Sequence, residues 1–430
     1  MILIKDGRLI DPKTNLDEIR DVVIDGGIIK NIGKFHVDDS YEKVINAKGK
    51  IVAPGLIDTH VHFRDPGATY KEDMESGEQA AIHGGFTTVI CRANTNPIVD
   101  NPETLRYVLD KASHGKIHIY TTAAITKGLG NEELTNMEEL IHLGAIGFSN
   151  DAAAIMNEQL MIDAMKEADR LNVPITVHEK NPHFVYNAGI NEGAISKQLN
   201  LKGSPNVAED ILVARDCMLA LYTGATVTIQ HISSGNSVRI IRMAKDMGAH
   251  VLAEVTPHHF SLTEDAVLTC GTMAKMDPPL RTKKDRFEII EGLKDGTIEI
   301  IASDHAPHTD EEKNTTFDKA PLGVIGLETS LALGVTNLVR RGHLSMLGLL
   351  EKMTVNPARL YHLDAGYICE GGRADLVIFD ESECFTVEKE KFASKSSNSP
   401  FIGQKLYGKI KYTICNGEIL YSDSDGQNPA

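Results

Sequence analysis

The 430-residue chain reads as an α/β protein, a closed (β/α)8 barrel of the TIM type with a small β-sandwich-like domain formed by both chain termini. Three features carry that reading. The middle of the chain alternates short apolar runs with helical periodicity, eight times over roughly 300 residues, which suits a parallel sheet wrapped by helices. The two ends instead offer hairpin-like strands separated by Asp-Gly, Gly-Gly and Asn-Gly turns. No Gly-x-Gly-x-x-Gly follows the first strand of the alternating region, which weakens an open dinucleotide-binding sheet as the alternative.

In chain order, β-prone runs at Met1 to Ile4, Asp21 to Ile24, Ile28 to Ile32 and Lys43 to Ile45 predict antiparallel hairpins up to about Val52. Apolar strands with polar ends are then expected at Leu56 to Val61, Phe86 to Ile90, Ile117 to Ile125, Ala145 to Phe148, Pro174 to Val177, Thr226 to Ile229, His250 to Val255 and Ile298 to Ala302. Between them, Glu158 to Leu171 places Leu160, Met161, Ala164, Met165, Ala168 and Leu171 on one helical face. Helices are likewise expected over Glu209 to Tyr222, Ser237 to Met247 and Phe287 to Leu293. Strands return at Asp375 to Phe379, Lys409 to Cys415 and Glu418 to Tyr421. Residues 1–52 and 365–430 are thus expected to pair into the small β domain, and 53–364 to form the barrel.

Composition narrows the function. The net charge of −16 repels phosphate backbones and anionic membranes, which argues against nucleic-acid and membrane partners. No apolar run reaches 18 residues, and the N-terminus does not read as a secretion signal, so a cytoplasmic protein is expected. The six cysteines are scattered without a Cys-x-x-Cys pair, as reduced thiols would be.

The histidines carry more. On an extended strand, His60 and His62 point to the same side, just before Pro66-Gly67 ends the run. Similar polar groups stand at other strand ends: Asp151 after the fourth, His178 after the fifth, His231 after the sixth and Asp304 after the eighth. In a barrel these ends converge on one face. Four imidazoles and two carboxylates suit a borderline metal such as zinc and exceed the needs of one tetrahedral ion. Two ions about 3.5 to 4 Å apart, sharing a carboxylate, would use them all. His258 and His259 follow the seventh strand, where a polar strand end explains them as well as ligation does.

With these residues in hand, the sequence resembles the amidohydrolase superfamily and, within it, bacterial dihydroorotases of the type bridged by aspartate. The resemblance spans nearly the whole chain. It is carried by His60-Val-His62-Phe-Arg64-Asp-Pro-Gly, Tyr70-Lys-Glu, Gly84-Gly-Phe-Thr-Thr, Asn94-Thr-Asn-Pro, Ala253-Glu-Val-Thr-Pro-His-His, Pro278-Pro-Leu-Arg281, Ser303-Asp304-His-Ala-Pro-His308 and Pro400-Phe. It implies two zinc ions per subunit: His60, His62 and Asp304 on one, His178 and His231 on the other, and Asp151 as the bridge. It implies further that Arg64 and Asn94 hold a substrate carboxylate, with His308 in support, and that Leu322 and Gly323 lie against the ring. Asp304 would be the catalytic acid and base. The implied reaction is interconversion of N-carbamoyl-L-aspartate and L-dihydroorotate in pyrimidine biosynthesis, with homo-oligomers and association with aspartate carbamoyltransferase both open. Alternatives are a hydantoinase- or allantoinase-like activity, against which Asp151 stands in place of a carboxylated lysine, or a weak subunit that only supports the carbamoyltransferase.

The chain departs from that pattern in four places. Asn150-Asp151-Ala152 replaces Asp-Asp-Gly, Arg92-Ala93 replaces Met-Pro, Leu322 replaces Phe, and Asp277 stands where an Asn normally contacts substrate. A carboxylate beside an anionic substrate needs a partner, since like charges at ~4 Å cost about 4 kcal/mol at an effective dielectric of 20. Arg92 is expected to be that partner for Asp277. The polar segment from Thr309 to Leu322 is expected to be either a lid or a solvated loop.

Overall fold

A computed structural model describes residues 1–185 and 189–423. Eight strands form the sheet at the chain ends: β1 (Ile2–Asp11), β2 (Leu16–Asp25), β3 (Ile28–Gly33), β4 (Lys43–Asn46) and β5 (Ile51–Pro54), then β14 (Leu376–Thr386), β15 (Lys405–Cys415) and β16 (Glu418–Ser422). Their order is β16-β15-β14-β5-β1-β2-β3, with β4 beside β1. Strand β5 joins the two ends of the chain. It pairs parallel with β1 and antiparallel with β14, and all four of its residues are buried. The hairpins are longer than the apolar runs predict, because β1 and β2 continue through charged positions such as Arg8 and Glu18, whose backbone still pairs while the side chain meets water. Ile4, Leu9, Val22, Ile29, Ile45, Leu376 and Ile414 close a core under this sheet.

The middle of the chain supplies the other eight strands, all parallel: β6 (Leu56–Val61), β7 (Phe86–Cys91), β8 (His118–Thr121), β9 (Phe148–Ser149), β10 (Ile175–Val177), β11 (Val227–Ile229), β12 (Val251–Val255) and β13 (Ile300–Ile301). They run as β6-β7-β8 and β9-β10-β11-β12-β13. Two parallel bridges, Ala123 to Phe148 and Val61 to His305, close these rows into a barrel. Both seams are hydrogen-bonded, Ser149 N–H to Ala123 O at 2.9 Å and His62 N–H to His305 O at 2.9 Å. Strands β9 and β13 are shorter than their apolar runs. Ala145 and Ile298 spend their N–H groups closing preceding helices, on Leu140 O and Gly292 O, so regular pairing starts later.

The helix over Glu158–Leu171 falls where periodicity predicts it. The Asn157 side chain caps it by accepting from Leu160 N–H, Asn172 ends it at φ 54°, and Met161, Ala164, Met165 and Ala168 face the core. Burying side chains of Met size is worth about 1.5–3 kcal/mol each, which holds such helices to the barrel. Of the other expected helices, two extend further at both ends, to Val207–Thr223 and Lys283–Asp295, while the third starts two residues earlier and ends one residue sooner, as Gly235–Asp246. The barrel and the terminal sheet meet at a tight seam. A Cβ on Gly55, between β5 and β6, would lie 2.1 Å from Thr87 Oγ1, and His118 Nε2 reaches Asp375 Oδ2 at 3.0 Å across the same junction. No helix among the described residues is long and apolar enough to cross a membrane.

Candidate metal centre

Every residue expected to bind metal stands at or just beyond the C-terminal end of a barrel strand. His60 lies in β6 and His62 just after it, and their rings are 5.3 Å apart, so the shared side expected of alternate strand positions is realised. Asp151, His178, His231 and Asp304 follow β9, β10, β11 and β13. Three residues at this rim adopt left-handed backbone without being glycine: Arg64 (φ 58°), His231 (φ 32°) and Asp304 (φ 48°). Such conformations cost of order 1–3 kcal/mol each and turn the side chains inward where the strands end.

The arrangement is two imidazole pairs around one carboxylate. Asp151 Oδ2 lies 3.5 Å from His60 Nε2 and 3.4 Å from His62 Nε2, while its Oδ1 lies 3.0 Å from His178 Nδ1 and 3.7 Å from His231 Nε2. One oxygen serves each pair. Asp304 Oδ1 completes the first side at 3.1 Å from His62 Nε2 and 3.5 Å from His60 Nε2. Two groups of donors, His60-His62-Asp151 and Asp151-His178-His231, are each compact enough for a metal ion, and Asp151 belongs to both. The donor set fits the group that the sequence implies. His60 Nε2 is buried without a hydrogen-bond partner and aims into the cluster, which is how a ligating nitrogen presents itself.

What lies behind the imidazoles fixes which nitrogen faces inward. Glu254 in β12 sits 2.8 Å from His60 Nδ1 and accepts from Thr59 Oγ1 at 2.7 Å. His62 Nδ1 is 2.9 Å from Asn94 Oδ1, and the Asn94 Nδ2 donates to Asp151 Oδ2 at 3.3 Å. Asp277 Oδ2 lies 3.6 Å from His178 Nε2. The acceptors behind His60 and His62 hold the tautomers that leave each Nε2 as a donor to metal. Burial and the Arg92 guanidinium push His60 down, but Glu254, Asp304 and Asp151 outweigh them and raise it to about 10, so this pocket attracts positive charge strongly. Burial likewise opposes ionisation of Glu254 and Asp304, yet His60, with Arg92 for the former and His62 for the latter, holds both well below the usual carboxylate range.

The cluster floors a cavity of about 200 Å³ whose walls include Arg64, Asn94, Asp277, His308, Leu322 and Gly323, so the expected substrate contacts share one chamber with the expected ligands. Arg64 Nη2 approaches His308 Nε2 at 3.4 Å. His308 is a neutral imidazole. Its Nδ1 accepts from Lys71 Nζ at 3.2 Å and its Nε2–H donates to Leu322 O at 2.8 Å, and burial with Arg64 and Lys71 alongside lowers its pKa to about 3. Gly323 has φ 132°, and a Cβ there would meet that of Ala306 at 2.7 Å, so only glycine fits this wall. Its N–H is engaged by Lys275 O at 3.1 Å.

One expectation is overturned. Arg92 does not meet Asp277. It lies fully buried inside the barrel, donating to Thr176 Oγ1 at 2.9 Å, with its Nη2 3.8 Å from Glu254 Oε2. The partner of Asp277 is Lys180, whose ammonium is hydrogen-bonded to Asp277 Oδ2. Neither Glu254 nor Lys180 was singled out from sequence. The signals were present: a carboxylate inside the apolar strand β12, and a lysine two places after His178, the alternation that pairs His60 with His62. His258 and His259 join neither donor group; His259 is held between Thr256 Oγ1 at 2.7 Å and Pro278 O at 3.0 Å. The segment after Thr309 is pinned from beneath. Lys313 is fully buried and donates to Lys275 O at 3.1 Å and Pro321 O at 2.9 Å, while Lys275 Nζ donates to Phe317 O at 2.5 Å and Ala320 O at 2.7 Å.

Comparison with known proteins identifies the family. The amidohydrolase family pattern matches residues 51–420. The dihydroorotase of Clostridioides difficile (strain 630) is 59% identical over 422 residues, covering 98% of this chain and 100% of that one. The dihydroorotase of Lactococcus lactis subsp. lactis (strain IL1403) is 50% identical, with 98% and 99% covered. Among solved structures, the L-hydantoinase (dihydropyrimidinase) from Arthrobacter aurescens superposes with a TM-score of 0.86 at 26% identity, covering 98% of this chain and 96% of that one. Fold, donor set and sequence therefore agree that the chain belongs to the amidohydrolase family, in the dihydroorotase group of hydrolases acting on cyclic amides.

Proposed function

We propose that the protein interconverts L-dihydroorotate and N-carbamoyl-L-aspartate in the cytoplasm, with two zinc ions held by His60, His62 and Asp304 on one side, by His178 and His231 on the other, and by Asp151 between them. The observation that carries this reading is the Asp151 carboxylate, with one oxygen turned to each histidine pair. When bound, such ions supply Lewis acidity and bring the pKa of water toward about 7, which makes ring opening feasible at neutral pH.

The chain's own residues do the rest. Asp304, an ionised carboxylate beside both His60 and His62, accepts a proton from the attacking water and returns it to the departing ring nitrogen. Asn94 holds His62 and Asp151 in register through its amide. Arg64 offers a planar fork to the substrate carboxylate, a charge that hydantoin and dihydrouracil rings lack. His308, kept neutral, carries its proton on the nitrogen bonded to Leu322 O, so it shapes the wall beside Arg64 without adding charge. Leu322 supplies apolar area against the ring. Asp277 serves the substrate side through Lys180.

The test is ring opening by purified protein of L-dihydroorotate, hydantoin and dihydrouracil, with bound zinc counted and the active fraction sized alone and with aspartate carbamoyltransferase. Turnover of dihydroorotate alone, with two zinc ions per chain, supports the reading. Preference for a neutral ring, or metal-free protein active only as a carbamoyltransferase partner, overturns it. Arg64→Ala raises KM for dihydroorotate by at least ~10-fold, a loss of ~1.4 kcal/mol, and an unchanged KM removes Arg64 from the substrate site.

A further inference from the structure

We infer that Lys180 contacts the substrate directly and binds its urea carbonyl, making it a specificity-determining residue. The inference rests on the ring-opening reading above and deepens it, since nothing there holds the urea end of the molecule. Lys180 lies in the wall of the 200 Å³ cavity with its side chain 23% exposed, and among the described residues only Asp277 accepts from it. An ammonium carries three donors, so two remain for a group inside the chamber. Asp277 is itself set against His178 Nε2 at 3.6 Å, which fixes the ion pair relative to the ligand cluster.

Barrel topology supplies the direction. Arg64 follows β6 and Lys180 follows β10, four strands apart in a closed ring of eight, so the two cations stand on opposite sides of the rim with the carboxylates Asp151 and Asp304 between them. A ring whose carboxylate lies on Arg64 and whose scissile amide lies over Asp304 presents its remaining carbonyl, the one flanked by two nitrogens, toward β10. A charged donor on that carbonyl distinguishes a cyclic ureide from a simple lactam of the same size.

The experiment uses full-length, metal-loaded protein, with zinc counted for each variant. Lys180→Met raises KM for L-dihydroorotate about 10- to 100-fold, the range for losing a charged hydrogen bond, with a smaller change in kcat. Lys180→Arg, which keeps the donors, recovers most of that loss. The double variant Lys180→Met/Asp277→Leu, which removes both charges without placing an amide donor at position 277, stays as impaired as Lys180→Met because the donor is absent from both. Orotate, a ring with the same urea edge, gives the same ranking by equilibrium binding without turnover. A wild-type KM in Lys180→Met overturns the inference. So does recovery in the double variant, since Lys180 would then only neutralise Asp277. Wild-type protein inert toward dihydroorotate overturns the underlying reading instead.

Discussion

The two halves of the candidate centre use one device in two settings. Behind His60 stand Glu254 and then Arg92; behind His178 stand Asp277 and then Lys180. Each is a chain of imidazole, carboxylate and cation. The first runs into the barrel interior, where His60, Glu254 and Arg92 are all shut away from solvent. The second opens onto the cavity. A cation sealed in the core can only orient and neutralise, because nothing else reaches it, whereas one in a cavity wall keeps donors for a ligand. Burying a charge pair is costly unless each member is fully partnered, which explains why Arg92 also engages Thr176 and Glu254 also engages Thr59.

The largest test removes what the halves share. Asp151→Asn should empty both sides of metal and lower kcat by at least ~10³-fold, several kcal/mol of lost catalysis, measured as zinc content and turnover. Loss of metal from one side alone would break the picture of a common carboxylate. Next, the two cations should differ in what they do for folding. Arg92→Leu leaves Glu254 buried and short of a partner and should cost about 3 kcal/mol in denaturant unfolding. Lys180→Met also strands a mostly buried carboxylate, but one that water in the cavity reaches, and should cost less, about 1–2 kcal/mol. Equal losses would erase the contrast between sealed and open chains. A smaller effect sharpens it: Glu254→Gln should weaken metal binding about 10- to 100-fold at the His60 side and leave the His178 side unchanged, as read by chelator competition. Equal weakening on both sides would show the halves to be one unit.

How much of this was legible in the sequence differs by residue. Strand β6 and the helix over Glu158–Leu171 were predicted with their observed boundaries, since each is bounded by its own caps and turn residues. The six ligand candidates were legible too, because a polar residue ending an apolar strand is a local signal, and a closed barrel gathers strand ends on one rim. Neither Glu254 nor Lys180 declares its role within its own stretch of sequence. Their meaning depends on partners 194 and 97 positions away along the chain. The Arg92 error has the same origin. Two unusual charges look like partners when only their coincidence is visible, but Arg92, just after β7, turns into the barrel toward β10 and β12, while Asp277 beyond β12 faces the cavity.

By itself, then, the amino-acid order determined the alternation of elements, the donor types and their positions at strand ends, because these follow from hydrophobic period and turn chemistry within about ten residues. Only the closed barrel decided which carboxylate faces which imidazole and which cation neutralises it. That pairing depends on which strands stand next to or opposite one another and on whether a side chain points into the core or the cavity, and distances of a few ångströms between remote segments are set by packing the whole ring at once.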